Sequence, residues 1–259
     1  MNGKDSQIAN LISNYEFIHK DIGTLNKIVD TNYFVISMPK CGTTSLKKGF
    51  INLNENVIHT HTNETGYKSL SNGQLLRKNQ LGMDSFIQYR LKKNTAPIYI
   101  FSGYREPISW YISLSQQFKI ELTDSLKENI IYNLKEKSPW KNYLPDEQFR
   151  LIEKCAGIKL EDHVFDKEKG FYHIKNGKLN LLLYRIDALS ELEKYISENI
   201  LPGYKLVTGR VNDNSLYVNF KRNFKLSPLQ IDEVYNFPYL NYFYKNSAID
   251  ALKAKFIQD

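Results

Sequence analysis

Apolar positions along the chain fall into two rhythms. Tyr33-Phe34-Val35-Ile36 is a continuous apolar run rich in β-branched and aromatic residues, which predicts a strand buried on both faces, as in a parallel sheet covered by helices. Asn56-Val57-Ile58 predicts a second short strand, and Ala96 to Phe101 (APIYIF) a third, buried by its continuous apolarity. The other rhythm is helical. Ile8, Leu11, Ile12, Tyr15 and Ile18 share one side of a short amphipathic helix over 4–20. Leu46-Lys47-Lys48 continues as a helix after the first strand, and residues 67–94, polar, basic and broken by Gly73 and Gly82, read as helical pieces around a loop. Pro107 opens a helix to about Lys119, with proline in the first turn where its missing N–H costs little. Residues 123–156 predict helix in two pieces, parted at Ser138-Pro139 and Leu144-Pro145. Phe171 to Tyr184 predicts a hairpin around Asn176-Gly177, or a turn into a further strand. A helix over 188–199, a last short strand at Lys205-Leu206-Val207, a helix capped by Ser227-Pro228 and ending near Tyr235, and a final helix from about Ser247 complete the chain. Strands alternating with helices predict an α/β fold, a mostly parallel central sheet flanked by helices.

Composition narrows this picture. The chain has 259 residues, 42% of them hydrophobic, which suits one domain over 1–259 with a sizeable core. A formal charge of +7 points to an anionic partner. The chain has no arginine-rich tail, zinc-finger spacing or RNA-binding aromatic motif, so nucleic acid is not the expected one. The two cysteines, Cys41 and Cys155, lie in a loop and a helical stretch, which argues against a disulfide framework and for a reducing cytosol. No apolar run of ~18 residues occurs and the first residues lack a signal-peptide core. The expected location is cytoplasmic, with peripheral contact at the inner face of a membrane left open.

Chemistry concentrates where the first strand ends. Pro39 breaks the strand, and Gly42-Thr43-Thr44-Ser45 leads into a helix. A strand feeding a tight turn and a helix N-terminus offers unpaired N–H groups and the positive pole of the helix dipole, a cradle for an anion. Lys40 adds a charge, and Thr43, Thr44 and Ser45 add hydroxyls. A helix N-terminus would also lower the pKa of a nearby thiol, so Cys41 as a nucleophile is weighed here, although the loop explains its position without that chemistry. The nucleotide-hydrolase signature Gly-Lys-Ser/Thr is absent; here the lysine precedes the glycine.

PKCGTTSL resembles the 5′-phosphosulfate loop of sulfotransferases that use 3′-phosphoadenosine-5′-phosphosulfate (PAPS), whose usual form is Pro-Lys-x-Gly-Thr-Thr. The resemblance implies a P-loop-like sulfotransferase fold, with Lys40, Cys41, Gly42, Thr43, Thr44 and Ser45 at the donor phosphate. Ser45 stands where many cytosolic members carry Trp, which leaves the acceptor type open. A second segment, IYIFSGYREPISWYIS, sends a strand through Phe101-Ser102, turns at Gly103, and places Arg105 before the Pro107 helix. Ser113 follows eight residues later, with the two backbones about 10 Å apart, so a guanidinium reaching forward and a hydroxyl can share one anion. This resembles the family's 3′-phosphate site and assigns Arg105 and Ser113 to it. PAPS carries roughly four negative charges, which protein cations would meet without a metal.

At the end of the second strand the chain reads Val57-Ile58-His59-Thr60-His61-Thr62. An attacking alcohol must lose a proton, and imidazole titrates near working pH. In cytosolic sulfotransferases the comparable strand ends Lys-Thr-His; by that resemblance His61 is the general base and His59 replaces the lysine, while Lys40 neutralises charge on the departing oxygen. Glu64 is the alternative base, and a zinc site at His59 and His61 is a further reading that lacks a third ligand. Leu183-Tyr184-Arg185 resembles an element in which a tyrosine lies near the adenine, which implicates Tyr184. The Arg-Lys-Gly closing element is missing, and Arg210 in Thr208-Gly209-Arg210 is its substitute. Tyr235, Tyr239, Phe243 and Tyr244 resemble the tyrosine-rich tail of bacterial capsule and glycan sulfotransferases. The implied activity is sulfuryl transfer from PAPS to a hydroxyl, on a sugar of a surface glycan or its precursor. A P-loop-type kinase and a non-catalytic nucleotide- or glycan-binding module remain the alternatives.

Overall fold

A computed structural model describes residues 31–61, 83–93, 96–117, 123–135, 145–207, 215–237 and 239–258. The sheet has five strands: β1 (Tyr33–Ile36), β2 (Val57–Thr60), β3 (Ile98–Tyr104), β4 (Phe171–Asn176) and β5 (Leu179–Arg185), in the spatial order β2-β1-β3-β5-β4. β1 is parallel to β2 and β3, and β3 to β5; β4 alone runs antiparallel, paired to β5. The expected hairpin is thus present, its turn made by Gly177 at φ 60 with Lys178.

Residues alternate between two cores, which is why the strand sequences are apolar without a break. Phe34 and Ile36 of β1, Ile98 and Ile100 of β3, and Leu181 and Leu183 of β5 face one cluster. Tyr33 and Val35, Phe101, and Leu182 and Tyr184 face the other. Helices α1 (Thr43–Asn52) and α6 (Leu189–Asn199) cover the second face through Leu46, Phe50, Leu192 and Ile196. The first face is covered by α2 (Met83–Lys93), α3 (Pro107–Gln117), α4 (Asp124–Lys135), α5 (Pro145–Ala156), α7 (Ser215–Asn223), α8 (Pro228–Tyr235), the single turn α9 (Leu240–Phe243) and α10 (Asn246–Phe256).

Several boundaries differ from the sequence reading. β3 does not turn at Gly103 but continues to Tyr104, because β5 pairs with it over seven residues. Lys205 to Val207 is not a strand. Its Leu206 N–H donates to the Glu193 carboxylate at 3.0 Å, so a side chain of α6 takes the bond that a ladder would need. Helix α7 was not anticipated, although Tyr217, Phe220 and Phe224 carry its three- and four-residue spacing. The capped helix α8 is as expected, with a capping box between Ser227 and Gln230. The helix expected over 4–20 lies outside the described residues. The tail aromatics are packing residues: Phe243 stacks on Tyr104 with ring centroids 4.4 Å apart, and Tyr244 lies under Arg185.

This topology fixes where a ligand can sit. From β1 the chain crosses through α1 on one face to β2. It reaches β3, on the other side of β1, with α2 on the opposite face. The loops after β1 and β3 therefore diverge at the carboxyl ends of neighbouring strands, the switch point where open α/β sheets bind ligands.

Candidate anion-binding and transfer site

Between β1 and α1 the chain makes a tight turn at Pro39 and Lys40. Proline followed by a residue with positive φ is the arrangement of a type II turn, and Lys40 sits at φ 65. A non-glycine residue in that region costs about 1–2 kcal/mol, a strain of the kind that gathers at ligand clamps. Gly42 at φ 77 then opens α1, and a Cβ there would lie 2.5 Å from Leu189 Cδ1, so only glycine passes.

Three consecutive loop carbonyls are held by side chains of other elements. Trp110 Nε1 donates to the Pro39 carbonyl at 3.0 Å, Arg105 Nη1 to that of Lys40 at 3.1 Å, and Tyr184 Oη to that of Cys41 at 2.9 Å. In a trans peptide the carbonyl and the following N–H point in opposite directions, and no described peptide bond is cis. The N–H groups of Lys40, Cys41 and Gly42 are therefore each turned away from these donors. Thr43, Thr44 and Ser45 add the first-turn N–H groups, which a helix leaves without internal acceptors. Gly42 supplies no side-chain cap, and no acidic residue lies in the first turn. The positive pole of α1 is thus uncovered by any carboxylate of its own turn, the arrangement that binds anions.

The cations gather beside it. Burial, reinforced by the Arg105 guanidinium, pushes the Lys40 ammonium below its ordinary pKa. Lys221 on α7 is lowered in the same way, by burial and then by Arg105 and Lys255, with Glu106 opposing. Arg105 thus lies within electrostatic reach of both Lys40 and Lys221. Its guanidinium turns to the β1–α1 loop, rather than forward along α3 as the sequence reading had it. Ser113 sits in the second turn of α3, nearly buried, and its hydroxyl has no hydrogen-bond partner among the described residues. Glu106 is committed elsewhere. Its carboxylate accepts from Ile108 N–H at 2.9 Å and Ser109 N–H at 2.7 Å, capping α3, and from Tyr235 Oη at 3.0 Å. So α3 closes its N-terminus with its own carboxylate, whereas α1 leaves its own open.

His61 follows directly on β2. Its Nδ1 lies in hydrogen-bond contact with the Ser37 carbonyl. A carbonyl only accepts, so Nδ1 carries the proton and Nε2 the lone pair. The Gln148 amide on α5 donates to the His61 carbonyl and anchors the backbone. Burial lowers the His61 pKa, partly offset by the bond to Ser37, which keeps the ring neutral near pH 7. His59 packs edge-on at 4.6 Å between centroids, and burial, with His61 and Lys47, pushes it down to about 3. Ser37 also ties the loops together, because its Oγ accepts the Gly103 N–H at 2.8 Å.

The sequence-derived residues divide accordingly. Lys40, Gly42, Thr43, Thr44, Ser45 and Arg105 meet at the mouth of one loop. Tyr184 is fully buried beneath that loop, so it props the Cys41 carbonyl rather than facing a base. Cys41 is likewise enclosed, and burial raises its thiol to about 12, which leaves no thiolate at neutral pH. Arg210 and Glu64 lie outside the described residues. No group of three or more His, Cys, Asp or Glu able to hold a metal is present among the described residues. Sequence reasoning missed Trp110, Gly103, Glu106, Gln148 and Lys221. Gly103 carried a signal, a glycine within an otherwise bulky strand: a Cβ there would lie 2.6 Å from the Tyr184 ring. No protein-family model, curated protein or solved structure matches the chain.

Proposed function

We propose that this chain is a PAPS-dependent sulfotransferase with the P-loop-like fold of that family, acting on a hydroxyl of a sugar in a surface glycan or its precursor. The observation that carries the reading is the β1–α1 loop. A Pro-Lys-Cys-Gly-Thr-Thr sequence has its carbonyls tied back by Trp110, Arg105 and Tyr184, with each following amide turned away from the donor that holds it. In this reading the loop amides and Lys40 hold the 5′-phosphosulfate, while Arg105, Ser113 and Lys221 hold the 3′-phosphate. The acceptor oxygen attacks sulfur in line. Its proton passes to His61 Nε2, the bond from sulfur to the bridging oxygen breaks, and that electron pair leaves on the 5′-phosphate, where Lys40 offsets the charge. The fixed Nδ1–H of His61 favours this role, since a base must present its lone pair without first shifting tautomer.

A thermal-shift comparison of PAP, PAPS and ATP tests the reading. Ligands that bind only the folded chain raise its melting temperature, so PAP and PAPS are expected to raise it and ATP with Mg²⁺ to leave it unchanged. The reverse pattern would replace sulfuryl transfer with a kinase. Within this reading His61→Ala abolishes transfer and keeps the PAP response; full turnover in that variant removes His61 from the mechanism.

A further inference from the structure

Residues 215–231 contain Lys221, Arg222 and Lys225 and no Asp or Glu. They form α7 and the entry to α8, and the fold joins them to the end of α10. Leu226 N–H donates to the Phe256 carbonyl at 2.9 Å, Gln258 N–H to that of Leu226 at 2.9 Å, and Lys225 Nζ to that of Lys255 at 3.0 Å. Tyr217, Phe224, Leu226 and Phe256 turn inward and are buried. What remains outside is Arg222, Lys225 and Lys255, with Lys221 leading from them toward Arg105. Of the neighbouring carboxylates, Asp232 is paired with Lys253 at 2.7 Å and Glu106 is buried under its three donors, while Glu233 lies with Asp232 around the hollow that Leu229 lines.

The same stretch carries two aliphatic side chains that the fold leaves in solvent, Val218 at 42% and Leu229 at 78% exposure. Cations alone would suit any polyanion. Cations with exposed aliphatic groups suit one class better, because the headgroup layer of a bilayer offers negative charge and hydrocarbon within a few ångströms. A sulfated glycan has no use for an exposed leucine, and single-stranded nucleic acid asks for exposed aromatic rings to stack on.

We propose that the face formed by α7, the start of α8 and the end of α10 docks on an anionic membrane surface, its cations among the headgroups and Leu229 and Val218 at the acyl boundary. This docking does not depend on the proposed chemistry. If the sulfotransferase reading also holds, it brings the cleft, through Lys221, beside an acceptor carried on a lipid.

The test is co-sedimentation of the full chain with vesicles of phosphatidylcholine alone or mixed with phosphatidylglycerol, at low and high salt, with a soluble sulfated oligosaccharide in parallel. Binding is expected only to the anionic vesicles and is expected to fall with salt. Arg222→Ala with Lys255→Ala should weaken it about thirtyfold, each cation near such a surface being worth roughly fivefold. Leu229→Ser should weaken it about tenfold, as loss of a buried aliphatic group does. Both variants should keep their melting temperature and their response to PAP. Absence of vesicle binding overturns the proposal, as does binding indifferent to Leu229. Capture by the oligosaccharide without vesicle binding also overturns it and makes the face a glycan site. A chain that binds vesicles but ignores PAP leaves the docking intact and removes the sulfotransferase reading.

Discussion

Lys40 offers a substitution in which stability and ligand binding should move in opposite directions. The residue sits at φ 65, a conformation costing a non-glycine side chain about 1–2 kcal/mol. Glycine removes that cost but gives the unfolded chain freedom worth about 0.5–1 kcal/mol. Lys40→Gly should therefore be neutral or more stable by up to about 1.5 kcal/mol, a rise in melting temperature of about 0–6 °C for a chain of this size. The same change removes the ammonium from the anion cradle. Hydrogen bonds involving a charged partner contribute about 1.5–3 kcal/mol, so PAP should bind about ten- to a hundredfold more weakly. Lys40→Met is the control: it keeps the strained backbone and loses the charge, and should match the glycine variant in affinity but not exceed the parent in stability. Differential scanning fluorimetry and calorimetric titration with PAP read both quantities. A Lys40→Gly protein that melts several degrees lower, or that holds PAP as tightly as the parent, refutes the assignment of Lys40 as a strained, ligand-facing cation.

Three further outcomes follow from the same geometry. Tyr184→Phe leaves the buried Cys41 carbonyl without its donor, at a cost of about 1–3 kcal/mol, and frees the loop; melting should fall and PAP binding weaken. Gly103→Ala, whose Cβ would meet the Tyr184 ring at 2.6 Å, should give the same pair of effects, and a folded Gly103→Ala protein with parental PAP affinity would discount the prop. For transfer, the lowered pKa of His61 predicts that kcat/KM is flat through neutral pH and falls on acidification with a midpoint below 6.5; a midpoint above 7 in a pH–rate profile would point to another base. Stability should show the same sign through His59, whose pKa drops from 6.5 unfolded to about 3 folded. Below pH 6.5 the unfolded chain takes up a proton that the folded chain refuses, so stability is lost as pH falls, by about 2 kcal/mol at pH 5. His59→Asn should flatten that slope in melting curves recorded at pH 7.5 and 5, and an unaltered slope would reassign it.

Much of the architecture was legible because burial on both faces leaves a continuous apolar run, and such a run is local in sequence. Tyr33–Ile36 and the APIYIF segment announce themselves as central strands. Asn176-Gly177 announces its hairpin, and Ser227-Pro228 its helix. The strand at 205–207 was misread because three apolar or amphipathic residues say nothing about whether a ladder is within reach. There, the Glu193 carboxylate meets the backbone first. The β1–α1 loop was legible for the same local reason, since a turn proline, a lysine, a glycine and a first helical turn are neighbours in the chain.

What depended on tertiary structure is everything that tells the loop which way to face. Trp110, Arg105 and Tyr184 are 71, 65 and 143 residues away from the carbonyls they hold, and no periodicity encodes such pairings. The side chains of Tyr184 and Cys41 are both enclosed, Tyr184 in the second core and Cys41 in the first, so Cys41 can offer a ligand only its backbone N–H. The tautomer of His61 rests on the Ser37 carbonyl, and the closeness of Lys221 to Arg105 on how α7 packs. The amino-acid sequence by itself determined the strands, their order of appearance and the chemical character of the loop, because these are properties of neighbouring residues. Only the folded chain decided which way the loop amides face and which ring nitrogen of His61 carries its proton, because direction in space is set by contacts between segments far apart in sequence.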